Sequence, residues 1–314
     1  MTSAPDSVAN AIDALVLIGP DNPDPAGNAE CRECAAAVSR RLDVPVYVGF
    51  REYATPTLTT VLEACIQAGG QQIALLPLLL DAASHYQRDM PSIVAQARMQ
   101  WPFVVFRCAQ PAGLHTRIVH ALAEQADAAY ATSITTVADA ATALLLVGCG
   151  SSVADINANV CKVARYLWEL EQYAWVEAAF QSVTQPDVVQ GVTRCVRLGA
   201  RRVIIVPFVL FTGVACNDIG RQAQVAQTQH PAVEILVARH LGEHPGVIET
   251  VVQRYHEMLQ AAGPNTCDLC VDQAQVNAHT HSNGLRPTCG QPHPHHYHQH
   301  HGFRGVHNLI KKRT

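Results

Sequence analysis

The sequence predicts an α/β protein with two similar, doubly wound parallel-sheet domains from an internal duplication, followed by a His-rich C-terminal tail. Three observations predict it. Short β-rich apolar runs alternate with segments of helical spacing, several residues recur at a constant distance, and the composition changes sharply from Cys267 onward. The predicted divisions are a first domain at 1–128, a linker at 129–141, a second domain at 142–262 and the tail at 263–314.

The duplication is visible in residues that return at a fixed distance. At the ends of each domain the distance is 129 positions, as for Gly19 with Gly148 and His115 with His244. Between them it is 130 positions, without a gap. The residues of this central set are Phe50, Pro56, Cys65, Gly69, Pro77 and Leu80, which return as Phe180, Pro186, Cys195, Gly199, Pro207 and Leu210.

Four apolar runs in each domain predict its strands. They span residues 14–19, 44–50, 72–80 and 103–109 in the first domain, and 141–148, 175–180, 202–210 and 233–239 in the second. The segments between them have helical apolar spacing, and 57–69 and 187–199 end in glycine, which favours a helix C-terminus. This alternation predicts parallel sheets with helices on both faces. We expect Cys65 and Cys195 on buried helix faces.

The composition argues against several classes of function. Of the residues 48% are hydrophobic, and the net charge is −4 without a basic stripe, so nucleic acid is not an expected partner. No segment has the roughly 20 apolar residues that a membrane span needs. The first apolar run lacks a preceding basic region, so we expect a strand there and a cytoplasmic protein. The eleven cysteines then favour thiols or metal ligands over disulfides. We also expect a monomer, a pseudo-dimer whose domains face each other across a cleft.

Two polar residues stand out at one edge of the first predicted sheet. Ligands of open α/β sheets bind at the carboxyl ends of the strands. There this chain places His85, in a loop predicted at residues 81–91 after the third run, and Glu52, after the second run. A histidine and a carboxylate on one edge can hold a divalent metal ion and accept protons. No glycine-rich phosphate motif occurs there, which argues against a nucleotide site. A loop histidine without a chemical role is the alternative for His85.

Three motifs resemble one known family. The segments LIGPDNPDPAGNAE, FREYATPTL and LLPLLLDAASHYQRDMP are similar to those of the class II chelatases of the CbiX type, which insert cobalt or iron into sirohydrochlorin. Glu52 matches the family glutamate, and His85, Asp89 and Pro91 match the third motif. The first motif differs, because Pro20 stands where the family has its first catalytic histidine. In the second domain Cys149 and Ala215 replace the corresponding histidines.

The resemblance implies a chelatase that acts on a sirohydrochlorin-type tetrapyrrole in the synthesis of cobalamin or sirohaem-type cofactors. Its second substrate would be a divalent ion, Co²⁺, Fe²⁺ or Ni²⁺. His85 would hold the metal or act as a base, and Glu52 would assist. Asp21, Asp24 or Cys149 could compensate for Pro20, with Cys149 reaching across the cleft. No organic cofactor is implied. The alternative is a relative without turnover that binds metal or tetrapyrrole as a store or chaperone.

The tail has the composition of a loose metal-binding segment. It is rich in His, Gln, Asn, Pro and Gly, cannot build a core, and is expected to be largely disordered and to bind cobalt, nickel or zinc. Cys267 and Cys270 form a CxxC pair, for which zinc or, by the resemblance, an iron–sulfur cluster is possible. A second CxxC pair, Cys31 and Cys34, is expected to be two thiols on the first helix. The predicted tail ligands are Cys267, Cys270, Cys289, His293, His295, His296, His298, His300 and His301.

Overall fold

The computed structural model describes residues 11–20, 22–51, 53–80, 84–113, 115–170 and 173–260, with only the backbone for residues 84–89. All eight strands of this part lie in two four-stranded parallel sheets. The described residues all belong to one compact unit, which contains both sheets. None of the helices in the described ranges combines the length and the apolar character needed to cross a membrane.

Each half of the chain alternates strictly between strand and helix. The first half contains β1 Ala14–Ile18, α1 Pro25–Ser39, β2 Val46–Gly49, α2 Leu58–Gln67, β3 Gln72–Pro77, α3 Ser84–Gln100, β4 Val105–Cys108 and α4 Thr116–Tyr130. The second half contains β5 Thr142–Gly148, α5 Ala154–Leu170, β6 Trp175–Phe180, α6 Val188–Arg197, β7 Arg202–Pro207, α7 Val214–Gln229, β8 Glu234–Val237 and α8 Pro245–Gln260. The strand orders are β2-β1-β3-β4 and β6-β5-β7-β8, so the two halves have the same topology.

The predicted α/β class, the parallel sheets and the duplication are confirmed. All eight apolar runs contain a strand, but the third run is longer than its strand. β3 ends at Pro77, although the chain stays apolar to Leu80. Leu78 and Leu80 are nevertheless buried, at 0% and 7% exposure, because they pack in the core beyond the end of the sheet. The exact domain boundaries at residues 128 and 142 stay a prediction.

The two halves share one hydrophobic core. Buried residues of β1, β3, α1 and α4 form a single apolar cluster with those of β5, β7, α5 and α8. The opposite faces of the two sheets are covered separately, by α2 and α3 in the first half and by α6 and α7 in the second. The inner core therefore attaches the sheets to each other, and their carboxyl-end edges come together on one side.

Repeated sequence produces repeated local structure at the ends of α2 and α6. Gly69 and Gly199 have positive φ angles of 96° and 107°, which glycine adopts without steric cost. The amides of Gly69 and Gly70 bond back to Ile66 and Cys65, closing α2 in a Schellman motif. The equivalent amides close α6 in the same way.

The cysteines on these helices and on α1 are core residues. Cys65 and Cys195 are 3% and 0% exposed, which confirms that they pack as small hydrophobes. Cys31 and Cys34 lie on α1 and are both 0% exposed. Burial is the largest influence on both thiols, and it raises the pKa of each to about 12. The prediction of two thiols on the first helix is confirmed, and burial keeps both thiols neutral at neutral pH.

Arg202 attaches the connection between the halves to the second sheet. Its guanidinium is 1% exposed and its Nε lies 2.6 Å from Oε2 of Glu234. It also donates to the hydroxyl of Ser133 and to the carbonyl oxygens of Thr135 and Val137. Burial raises the pKa of Glu234, but hydrogen bonds from Thr135, Arg202 and Ser133 outweigh it and leave that pKa below its ordinary value.

Candidate functional site

A cavity of about 290 Å³ lies where the carboxyl-end edges of the two sheets meet. This is the edge at which open α/β sheets bind their ligands. Both halves contribute to its walls, which are mainly apolar. The lining residues are Pro20, Asn22, Pro23, Leu78, Leu79, Leu80, Cys149, Phe208, Val209, Leu210, Phe211, Gly213, Val214 and Ala215.

The turn after the first strand has the same framework in both halves. In the first half, the Asn22 amide donates to Oδ1 of Asn28 at 3.1 Å, and Nδ2 of Asn28 donates to the Asn22 carbonyl at 2.6 Å. In the second half Ser151 and Asn157 make the same two bonds, at 2.9 Å and 2.7 Å. Asn28 and Asn157 thus hold the turns that carry Pro20 and Cys149 to the cavity wall.

The segment after the third strand is helical, which corrects a prediction. His85 and Pro91 were expected in a loop, but both lie in α3, His85 as its second residue and Pro91 as its eighth. Ala215 is likewise the second residue of α7. The loop prediction rested on the polar residues that follow the apolar run at the carboxyl-end edge of the sheet. The prediction placed the segment correctly after β3 but assigned its backbone wrongly.

The turn after β1 and helix α1 both contact the loop after β7. Nδ2 of Asn22 donates to the carbonyl oxygen of Thr212 at 2.6 Å, and the Thr212 amide donates to Oε2 of Glu30 at 2.7 Å. Nε2 of His240 lies 2.9 Å from the same Glu30 oxygen. Because a carboxylate only accepts hydrogen bonds, Nε2 of His240 is the donor. The first half therefore holds both backbone polar groups of Thr212.

Two thiols of the second half lie at this edge. Cys149 is exposed and lines the cavity, while Cys216 is half-buried in the first turn of α7. Sγ of Cys216 is 3.6 Å from the carbonyl oxygen of Phe211. Burial raises the pKa of Cys216 to about 11, and the nearby Cys149 and Glu30 add to the rise. Cys216 is therefore a neutral thiol at physiological pH.

The predicted ligands are only partly visible. The backbone of His85 starts α3 beside the cavity segment Leu78–Leu80, while Glu52 and all the predicted tail ligands lie outside the described residues. Within the described ranges, no three His, Cys, Asp or Glu side chains are grouped so that they could hold a metal ion. The roles of His85 and Glu52 remain proposals.

Glu30 and His240 were missed by the sequence analysis. They are 210 positions apart, and neither belongs to a recognisable motif. Glu30 lies two residues after Asn28, whose duplicate in the second half is conspicuous, but the residue equivalent to Glu30 is Asn159. Nothing in one sequence indicates that such a difference marks a contact between the halves.

Known proteins resemble this chain over most of its length. The CbiX family model matches twice, at residues 14–129 and 143–258. The sirohydrochlorin cobaltochelatase of Priestia megaterium is 29% identical over 268 residues, which cover 85% of this chain and 86% of the relative. The sirohydrochlorin ferrochelatase of the same organism is 29% identical over 225 residues, which cover 71% of this chain and 82% of the relative.

Solved structures with a similar fold also match this chain. SirB from Bacillus subtilis with Fe³⁺ matches with a TM-score of 0.68 and 26% identity, covering 78% of this chain and 95% of that one. The multi-domain protein DR2241 from Deinococcus radiodurans has the same fold, with a TM-score of 0.61 at 21% identity over 86% of this chain and 60% of that one. Two matches to the family model, together spanning both sheets, establish that this chain belongs to the CbiX family.

Proposed function

We propose that this protein is a metal chelatase that inserts a divalent metal ion into sirohydrochlorin. The observation that carries the proposal is the cavity formed jointly by the carboxyl-end edges of two CbiX-type halves. The similar cobaltochelatase and ferrochelatase of Priestia megaterium support cobalt and iron as the metal substrates. Nickel is a further candidate, which the family resemblance alone suggests.

The walls of the cavity suit the flat, apolar ring face of a tetrapyrrole. Leu78–Leu80 face the cavity from the first half, and Phe208 and Phe211 from the second. The cavity volume of about 290 Å³ is just below the roughly 300–1,000 Å³ of small-molecule sites. We therefore expect the tetrapyrrole to insert one edge and to extend towards α3, where His85 lies. The first amides of α7 are not capped by a side chain and could receive a carboxylate of the macrocycle.

The chemistry requires few groups. Two pyrrole nitrogens must each lose a proton as the metal ion enters, so the protein must offer proton acceptors and hold the ion near the ring. We assign His85 to hold the metal ion or to accept one proton, and Glu52 to assist. Both follow strands of the first sheet at its carboxyl end, which supports placing them at the same edge.

A binding protein without turnover is the second candidate. One observation favours it: the two positions of the first family histidine, Pro20 and Cys149, both face the cavity, and neither has an imidazole. Cys149 is exposed there, and a thiolate ligand from the second half would offset the loss. Changes in the surroundings of a metal ligand typically cost about 10- to 100-fold, so loss of a ligand itself should cost at least as much.

The tail is proposed as an accessory metal-binding segment. Cys267 and Cys270 would contribute to a zinc or iron–sulfur site, and the histidines between residues 293 and 301 would bind divalent ions loosely. A cytoplasmic location and a monomeric state complete the proposal.

The proposed function can be tested by measuring metal insertion directly. Purified protein is incubated anaerobically with sirohydrochlorin and Co²⁺, and separately with Fe²⁺, and the absorption change is compared with the spontaneous rate. A rate well above the spontaneous one supports the chelatase. Tight binding of sirohydrochlorin or metal ion at the spontaneous rate would favour the binding protein instead.

A further inference from the structure

The backbone of one residue of the second half, Thr212, is clamped by the first half. The carbonyl oxygen of Thr212 accepts from Nδ2 of Asn22 at 2.6 Å, and the Thr212 amide donates to Oε2 of Glu30 at 2.7 Å. His240 bonds the same Glu30 oxygen at 2.9 Å and so fixes the carboxylate. Glu30 is 22% exposed and His240 12%, so water competes only partly for these bonds. Asn22 and Glu30 thus hold the two peptide groups on either side of the Thr212 Cα.

The second half contains the turn but not the clamp. Oδ1 of Asn22 accepts from the Asp24 amide at 3.0 Å, and Oγ of the equivalent Ser151 accepts from the Val153 amide at 3.1 Å. The asparagine oxygen and the serine hydroxyl therefore have the same local role. Only the asparagine has, in addition, an Nδ2 group that can donate a hydrogen bond to the other half.

Two glycines are fitted to this close approach. Gly213 has φ of 144°, and a Cβ added to it would lie 2.1 Å from Nδ2 of Asn22. A Cβ added to Gly27 would lie 2.3 Å from the carbonyl oxygen of Thr212. Real Cβ atoms do not come this near to other heavy atoms, so both sides of the contact require glycine. The contact thus depends on four positions rather than on one surface side chain. They are Asn22, Gly27, Glu30 and Gly213.

The clamp lies directly behind the cavity wall. Phe211 and Gly213, on either side of Thr212, line the cavity, and Asn22 lines it from the opposite half. We propose that Asn22 and Glu30 are positioning residues that fix the separation of the two cavity walls and thereby the fit of the tetrapyrrole. The proposal rests on the chelatase function proposed above. Neither residue needs to touch the reacting atoms, and both act through the backbone of Thr212.

The substitution Asn22→Ser tests this directly, because serine is the residue that already forms this turn in the second half. It retains the turn acceptor and removes only the crossing donor. We expect a rise of about two- to tenfold in KM for sirohydrochlorin, the range that loss of one hydrogen bond corresponds to, with little change in kcat. The matched control is Ser151→Ala, which removes the equivalent turn bond and leaves the clamp in place. It should keep the wild-type KM.

A second measurement does not depend on activity. Cys216 contacts Phe211, which precedes the clamped residue Thr212, so alkylation of Cys216 by iodoacetamide, followed by peptide mass spectrometry, reports on opening of this wall. In Asn22→Ser we expect labelling of Cys216 to accelerate about two- to tenfold. Labelling of Cys161, an exposed thiol on α5, should not change.

The clamp also predicts that the two substitutions are not additive. Because both residues hold the backbone of Thr212, Asn22→Ser combined with Glu30→Ala should cost little more than the more damaging single change. Wild-type KM in Asn22→Ser, with or without faster Cys216 labelling, would overturn the positioning role. If the wild-type protein shows no insertion above the spontaneous rate, the proposed function fails. The clamp is then judged by Cys216 labelling and by the affinity for sirohydrochlorin, where an unchanged value for both would overturn it.

Discussion

His115 and His244 cap α4 and α8 in the same way, each with its Nδ1 accepting the backbone amide two residues later at 3.1 Å. The pair is one of the recurring pairs that reveal the duplication, and both of its members have the same capping role. Nε2 of His244 also lies 3.1 Å from Oε2 of Glu124 on α4. His115 in addition links stability to pH.

We expect the protein to lose stability in mild acid through His115. Burial lowers the pKa of His115, and the neighbouring Arg254 and Arg117 lower it further. Since the pKa in the folded state is below the unfolded value of about 6.5, the unfolded state binds more protons as pH falls through that value. The contribution of His115 to the free energy of unfolding is therefore complete above about pH 6.5 and decreases below it. Urea unfolding at several pH values measures this.

The matched variant is His115→Asn. Asparagine is a good N-cap but does not titrate, so it should flatten the acid side of the stability profile and leave stability near pH 8 within about 1 kcal/mol of wild type. A profile as steep as that of the wild-type protein would show that other groups cause the acid sensitivity.

Arg202→Met should be among the most damaging substitutions outside the apolar core. It leaves Glu234 without its arginine partner and detaches the connection at residues 133–137, which we expect to cost roughly 3–5 kcal/mol of unfolding free energy. The control is Arg165→Met, which breaks an exposed pair with Glu169 on α5. It should cost less than about 1 kcal/mol. Denaturant unfolding compares them, and equal losses would refute the argument.

If the protein is a chelatase, His85 should carry most of the activity that Pro20 leaves. His85→Ala should reduce metal insertion to the spontaneous rate, whereas Glu52→Gln should reduce it less, because water can replace one proton acceptor. Stopped-flow absorption of sirohydrochlorin measures both. An undiminished rate in His85→Ala would move the chemistry elsewhere, with Cys149 as the next candidate.

Pro20→His tests the same site in the opposite direction. Pro20 lines the cavity at the position of the missing family histidine, so the substitution adds an imidazole where the ligand is lost. We expect the insertion rate to rise by about tenfold or more, by analogy with the cost of disturbing metal ligands. The same substitution at Cys149 is the comparison. A rate unchanged by Pro20→His would indicate that the second half has taken over this function.

Truncation after Pro264 should leave the fold intact. The last described helix, α8, ends at Gln260, and its buried residues, such as Val251 and Tyr255, are all retained. We expect an unchanged melting temperature and the loss of several Co²⁺, Ni²⁺ or Zn²⁺ sites by calorimetry. Unfolding of the shortened chain, or unchanged metal stoichiometry, would contradict the assignment of the tail.

Local patterns predicted the architecture well. The apolar runs located all eight strands of the described part, and Gly69 and Gly199 marked helix ends, because backbone conformation and burial are set by neighbouring residues. The errors of the prediction also have physical reasons. The apolarity of Leu78–Leu80 looked like continued strand, since a cavity wall and a sheet interior select the same side chains. His85 was placed after the correct strand but in the wrong backbone conformation.

The candidate site was predictable only where one half repeats the other. Cys149 and Ala215 could be found by aligning the halves, and the structure places both on the cavity wall. The contacts of Glu30 with His240 and Thr212 could not be found in this way, because they join different halves and have no equivalent at Asn159. Long-range contacts between single polar residues leave no periodic signal in a sequence.

The core shared by α1, α4, α5 and α8 has a consequence for how this protein can change. Two identical copies of one half, packed in this way, would form a symmetric dimer, in which every substitution appears twice and must suit both sides of the axis. Fusion into one chain removes that constraint. Ser151 can form the turn alone, while Asn22 forms the turn and also bonds Thr212 of the other half. Cys149 can likewise differ from Pro20. The covalent link therefore allows the two sides of one cavity to change independently of each other. A homodimer of the same half cannot do this.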